Sequence, residues 1–227
     1  MRQFFAMSQR GDLAEAVSGL KNPQFIMLLS NNNQFEEHVK SLEKLYPGIP
    51  SIGCIGMGYD TSVVESGVAV IAFWDGVSAA ANVLEQVSTI PVKYIRRLEK
   101  DLQKVGGSGR DTVCIDFCTG NDACVLTTIN TVLGPNGISL VGGTGDGGKV
   151  SVNGKVYSDA VAYGLVRNLG GRVKTYKENI YRPMGRYRFI ASQTDRANYI
   201  IGALNGRPAK QVYQSILHVT DQEILTQ

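Results

Sequence analysis

Histidine is nearly absent. His38 and His218 are the only two in 227 residues, and neither stands in a motif with a nucleophile or a metal partner. The chain also lacks a GxxxxGK[ST] phosphate loop, an HExxH helix and a GxSxG elbow, which excludes enzymes built on those constellations. A catalytic reading then rests on Cys54 alone, a candidate nucleophile between Gly53 and Ile55 with no basic neighbour in the sequence to lower its pKa. Long apolar runs are missing too: no stretch approaches the roughly 18 residues that cross a bilayer, and Met1 leads into RQFFAMSQRGD rather than a signal peptide. A soluble, cytoplasmic chain is expected.

Charge of one sign is scarce. Lys and Arg number 23 against 20 Asp and Glu, and a balance of +3 argues for neither nucleic acid nor an anionic membrane. Arg182, Arg186, Arg188, Arg196, Arg207 and Lys210 meet only Asp195 in their stretch, which reads as a solvated face or a protein interface. Cysteine is sparse as well, at Cys54, Cys114, Cys118 and Cys124. Cys114 and Cys118 share one strand, where four residues span roughly 13 Å, too far to chelate one ion or to bond. Buried free thiols and no metal site are expected.

What the chain does have is glycine in a repeated order. Gly48 to Gly58 (GIPSIGCIGMG) and Gly137 to Gly147 (GISLVGGTGDG) place Gly, Ile, Gly, Gly and Gly at the same positions, at an offset of 89 residues. At that offset Phe25 to Asn33 (FIMLLSNNN) lies over Cys114 to Asp122 (CIDFCTGND). The register points to an α/β fold with a mixed sheet, built from two copies of a β-α-β-β-β unit with helices packed on the sheet. The two units are expected to share one sheet rather than to form two layers.

In chain order, Arg2 to Ser8 reads as an edge strand, and Asp12 caps a short helix carrying Leu13, Val17 and Leu20. Phe25 to Ser30 is a continuous apolar run, the pattern of a strand covered on both faces. Asn33 and Glu36 form a capping box for a helix with Phe35, Val39, Leu42 and Leu45 on one side. Ile49 to Ile55 is the next strand, followed by the Gly56 to Asp60 turn. Gly67 to Trp74 and Val77 to Leu84 are joined at Asp75-Gly76, a hairpin signal. Pro91 to Val105 is an amphipathic helix with Ile95, Leu98, Leu102 and Val105 inward and an outer Arg97/Asp101 pair. Thr112 to Cys118 is a strand, and Asn121 or Asp122 caps a helix that Gly134-Pro135 ends. Ile138 to Gly142, a hairpin at Asn153-Gly154, Val161 to Arg167 and Arg172 to Lys177 complete the second unit. At Ser158 the offset from the first copy has grown to 92. Beyond Pro183-Gly185, strands over Tyr187 to Ser192 and Asn198 to Leu204, a turn at Asn205-Gly206 and a helix from Pro208 to Leu217 form a separate piece.

Gly143 to Gly148 satisfies GxGxxG after a strand, yet a hairpin follows where a dinucleotide fold needs a helix N-terminus, so nucleotide binding is not expected there. Two readings stay open. In one, the glycines let successive N–H groups line a concavity that takes a zwitterion's carboxylate while Asp146 takes its amine. Alternatively they make only a tight turn and Asp146 bonds its own backbone.

The order of these motifs carries a resemblance. Ser51-Ile52-Gly53-Cys54 after a strand, Ser66 to Phe73, Gly145 to Gly148 and the hairpin Asn153-Gly154-Lys155-Val156 resemble the N-terminal FIST domain. Asn198 to Leu217, with Asn205-Gly206-Arg207-Pro208-Ala209 and Tyr213, looks like the opening of the C-terminal FIST domain. The resemblance implies a FIST N-like domain over 1–180, with pseudo-repeats 25–88 and 114–178, then the start of a FIST C-like domain over 181–227 cut short at Gln227. It implies a bacterial or archaeal sensory input module that binds a small ligand such as an amino acid, without catalysis. Its signalling partner would be a chemotaxis transducer, a histidine kinase or a cyclic-di-GMP enzyme. Some relatives are haem-containing nitric oxide sensors, which would make His38 or His218 an axial ligand; otherwise no cofactor is expected. Where the family continues Gly-Cys with Ser-Thr this chain has Ile55-Gly56, so polar contacts expected there are missing. The expected ligand site is Asp146 with Gly143, Thr144, Gly145 and Gly147, followed by Cys54, Thr119, Asn121 and Asp122.

Overall fold

The computed structural model describes residues 1–56, 58–59, 63–64, 67–90, 92–177, 182–183, 185–196, 198 and 200–225. Met57 and Asp60 of the first glycine turn, Ser66, Pro91, Met184, Tyr199 and Gln227 lie outside the described residues. The chain divides into two compact units, Met1–Thr175 and Tyr176–Gln227.

The first unit begins with strand β1 (Arg2–Ser8) and helix α1 (Leu13–Val17), whose cap Asp12 accepts from the Glu15 amide as expected. Strand β2 (Phe25–Ser30), helix α2 (Phe35–Leu45) and strand β3 (Ser51–Ile55) follow. After them come two short strands, β4 (Gly58–Tyr59) and β5 (Val63–Val64), which pair with each other. Strands β6 (Val68–Trp74) and β7 (Val77–Glu85) precede helix α3 (Ile95–Val105). Strand β8 (Thr112–Cys118), helix α4 (Asp122–Leu133), strand β9 (Ser139–Thr144), the hairpin of β10 (Asp146–Val152) with β11 (Lys155–Tyr157), and strand β12 (Ala160–Asn168) complete it. The hairpin turns at Asn153-Gly154, both at positive φ, as the sequence predicts.

These strands form two mixed sheets, and the expectation of one shared sheet is overturned. One sheet runs β1-β6-β2-β3-β10-β11 and the other β7-β12-β8-β9. Each has a single parallel pair, β2 with β3 across α2 and β8 with β9 across α4, and all its other pairs are antiparallel. The order β1-β6-β2-β3 repeats the wiring of β7-β12-β8-β9. The registers agree as well: Phe25 opposes Phe73 in one sheet and Cys114 opposes Leu165 in the other, which are the sequence offsets of 89 and 92.

Packing explains the apolar runs. On β2, Ile26 and Leu28 face α1 and α2, meeting Leu13, Val17, Phe35, Val39 and Leu42, while Phe25 faces the other sheet. The layer between the sheets holds Phe25, Ile52, Cys54, Val150 and Val152 from one side and Val83, Ile115, Phe117, Ala162 and Val166 from the other. On the far side of the second sheet, Leu98, Leu102 and Val105 of α3 and Val125, Ile129 and Leu133 of α4 cover Leu84, Cys114, Val161 and Leu165. The unit is thus a helix, sheet, sheet, helix stack, and strands covered on both faces are apolar at nearly every position.

Four local expectations fail for identifiable reasons. Asp75 and Gly76 turn at φ 62° and 82° but join strands of different sheets, because β1 and β2 already occupy both edges of β6. The Asn33/Glu36 capping box does not form: Asn31 Oδ1 takes the Gln34 amide at 3.1 Å, and Glu36 pairs with Lys149 Nζ at 2.8 Å. Arg97 and Asp101 do not pair, since Arg97 donates to Glu85 and to the Val83 carbonyl while Asp101 accepts from Asn82 and Tyr163. Residues 172–177 form no strand.

The second unit contains strands β13 (Ala191–Asp195), β14 (Ile200–Leu204) and β15 (Arg207–Pro208) in one sheet, then helices α5 (Ala209–Leu217) and α6 (Asp221–Leu225). Asn205 and Gly206 turn between β14 and β15 at φ 51° and 78°, as expected, whereas the expected strand at Tyr187 starts only at Ala191. Among its described residues only Ala203 and Val212 are buried.

The two sheets approach most tightly at Gly164 of β12, where an added Cβ would run into the Phe25 ring. Gly164→Ala should therefore cost about 1–3 kcal/mol by overpacking. Denaturant melts should show Phe25→Leu in the same chain recovering part of that loss, and an unchanged midpoint in the single variant would contradict the packing described.

Candidate functional site

Side chains alternate along β8. Val113, Ile115 and Phe117 enter the layer between the sheets, which sends Cys114, Asp116 and Cys118 to the side covered by helices. Asp116 is therefore a carboxylate in an apolar layer, 3% exposed. Apart from its own amide, no described group donates to it. Burial, and secondarily the charge of Asp122, pushes its pKa up to about 7. Its parallel partner on β9 is Gly142, and a Cβ at that position would collide with the main-chain and side-chain oxygens of Asp116. Only glycine leaves room for the carboxylate there.

The carboxylate opens on a cavity of about 200 Å³ between β8, β9 and α4. Asp116, Cys118 and Asp122 are its polar lining, Val125, Leu126 and Leu140 its apolar wall, and Gly142 and Gly143 its floor along β9. Asp122 opens α4 and is held by two donors, Thr144 Oγ1 to Oδ2 at 2.5 Å and Cys118 Sγ to Oδ1 at 3.1 Å. Those bonds, the Thr144 one foremost, hold Asp122 below its usual range, whereas burial and Asp122 push the Cys118 thiol up to about 11. At neutral pH Cys118 is thus a thiol donor and Asp122 a full charge. The cavity offers two carboxylates of unlike state, and among the described residues no Lys, Arg or His lines it.

A family match decides the context. The FIST N domain matches residues 24–207, most of the chain. The chain belongs to this family. FIST domains are sensory domains in signalling. None of the curated proteins matches the chain. The FIST N match runs past the division at Thr175/Tyr176, so its last part falls in the second unit. Among the described residues no helix is long and apolar enough to cross a membrane, and no group of His, Cys, Asp and Glu could hold a metal ion.

Within this FIST domain only some of the residues expected at the ligand site meet this cavity. Gly143 and Asp122 line the cavity, and Thr144 touches it through Asp122. Gly145 carries the chain from one sheet to the other; its amide donates to the Cys118 carbonyl, and its Cα packs so near Cys54 that a Cβ would meet Cys54 Cβ at 2.8 Å. Asp146 is exposed, with Oδ1 accepting from the Gly147 amide at 3.2 Å, the contact of a tight turn, and Gly147 sits at φ 62° against Ile55 and Asn32. Thr119 makes three hydrogen bonds with the Ala160 backbone, two through its hydroxyl and one through its amide, and closes the β8·β12 ladder. Asn121 occupies the helix cap at φ 58° with no side-chain capping bond.

The residues of the rival readings stand apart. Cys54 is buried between the sheets, and burial, with Cys118 second, pushes its thiol up to about 12, the opposite of an activated nucleophile. His38 is buried with both ring nitrogens engaged, Nδ1 with Ser30 Oγ at 2.7 Å and Nε2 with the Gly11 carbonyl at 2.9 Å, so it presents no free nitrogen to a haem iron. His218 is exposed at the end of α5. Asp116, Leu140 and Gly142 escaped the sequence reading. The signal was present in TVCIDFC, where one charged residue interrupts a run otherwise fit for a doubly covered strand.

Asp116 imposes a pH dependence whose sign follows from its raised pKa. The folded chain keeps this proton up to about pH 7, whereas the unfolded chain loses it near 3.8, so stability falls as pH rises between those values. The loss is on the order of 4 kcal/mol at most. Asp116→Asn should therefore melt like the parent at pH 4 and become progressively more stable than it toward pH 8. Melting curves that stay parallel across that range would contradict this.

Proposed function

We propose that the first unit is a small-ligand sensory input domain and that its ligand, a metabolite of about amino-acid size, enters the cavity between β8, β9 and α4. The observation that carries the reading is Asp116, a buried carboxylate that faces an open cavity and has no donor among the described residues besides its own amide. Such a group costs stability in the empty protein, and an arrangement of that kind persists where a partner arrives from outside. Family membership supplies the sensory role.

The domain binds and does not transform. Cys118 and Cys54 are held as thiols, and no described basic group lines the cavity to activate either. A ligand seated on Asp116 also meets Asp122, whose bonds to Thr144 and Cys118 tie the start of α4 to β9 and β8. Shifting those bonds moves α4, and that movement is the signal read by an output partner such as a chemotaxis transducer, a histidine kinase or a cyclic-di-GMP enzyme.

Thermal melts against a panel of small acids, amines, amino acids and haemin test the reading. A ligand at a hundred times its dissociation constant stabilises by roughly 2.7 kcal/mol, or several degrees for a chain of this size. Leu126, half exposed at the cavity wall, can be enlarged without entering the core, so Leu126→Trp should erase the shift while leaving the unliganded melt near that of the parent. A shift that survives Leu126→Trp would place the ligand elsewhere.

A further inference from the structure

We infer that the ligand of this cavity is a short organic ammonium ion that carries no carboxylate, bound as an ion pair with Asp116 against the apolar wall of α4. The inference rests on the cavity being the ligand site and adds the ligand's charge class.

The lining decides the sign. Asp116 and Asp122 both face the space and, among the described residues, no cation does, so an anionic group on the ligand would meet two carboxylates and no counter-charge. Two of the turn amides that could have received a zwitterion's carboxylate are spent, Gly145 N on the Cys118 carbonyl and Gly147 N on Asp146 Oδ1. An ammonium group has three donors and no acceptor. Asp116 is an acceptor with no donor among the described residues besides its own amide, and Asp122 still has lone pairs beside those taken by Thr144 and Cys118. Opposite them, Val125, Leu126 and Leu140 offer a surface for a few methylene groups, which a bare inorganic cation would leave unused.

Protons move in a defined direction. The groups around Asp116 that titrate or carry charge are Cys114 and Cys118 on its own strand and Asp122 from α4. Tyr163, its partner on β12, turns its hydroxyl to Asp101 of α3, where Arg97 also acts on it, and β9 contributes none. With no cation among these neighbours to ionise it, protonated Asp116 gives up its proton when the ammonium arrives. The carboxylic acid and the ammonium ion become an ion pair, and one proton passes to the buffer.

Calorimetric titration of the full chain with propylammonium chloride, alanine, sodium propionate and potassium chloride at matched ionic strength tests this. Propylammonium should bind at least tenfold more tightly than the other three. Its affinity should rise about tenfold from pH 6 to pH 8, and the observed heat should change with the buffer's heat of ionisation. Asp116→Asn and Leu126→Trp should each abolish binding, the second guarding against a folding defect in the first, while Asp146→Ala should keep it. Alanine or propionate binding as tightly, with loss in Leu126→Trp, overturns the charge class and leaves the cavity as the site. Potassium binding as tightly overturns the organic ligand. Propylammonium binding unchanged in Leu126→Trp overturns both the class and the site, and failure of propylammonium to bind overturns the class.

Discussion

Two sheets packed face to face, each roofed by helices, leave no exposed position on the central strands β2, β3, β8 and β12. That constraint organises the first unit. It explains why β2 and β8 are apolar at both parities, why Gly164 must make room for the Phe25 ring, and why cysteine is tolerated as a small buried hydrophobe at Cys54, Cys114 and Cys118. It also makes any charge on a central strand conspicuous. Asp116 is that charge, and the cavity beside it is where the double cover is incomplete.

The glycines serve this arrangement more than they serve a ligand. Gly142 removes the side chain that would displace the Asp116 carboxylate, and Gly145 lets the chain pass from the second sheet to the first against Cys54. Because β9 leads directly into β10, the cavity wall and the edge of the opposite sheet are covalently continuous. Thr144, at the end of β9, is bonded to the first residue of α4. Occupancy of the cavity can thus reach both a helix and a sheet through one short segment.

Much of the fold was legible in the sequence because its determinants are local or periodic. Apolar runs marked β2 and β8, and Asn153-Gly154 marked a true hairpin. Assignment to sheets was not legible, since Asp75-Gly76 specifies a turn and cannot say that β1 has already taken the edge of β6. Side-chain partners chosen across long separations were equally hidden. Glu36 leaves its capping box for Lys149, 113 residues away, and Asp101 leaves Arg97 for Tyr163. At the site, Gly143, Thr144 and Asp122 were within reach of a motif argument, whereas Asp116 required knowing which face of β8 meets α4 and what lies opposite on β9.

The proposed binding turns on the state of one carboxyl group, and carbon-detected NMR titration of the Asp116 side chain in the unliganded protein measures it directly. A midpoint raised to about pH 7 is expected. A midpoint near the ordinary 3.8 would mean that the carboxylate is hydrated or paired, and the cavity would then have no unsatisfied group for a ligand to meet.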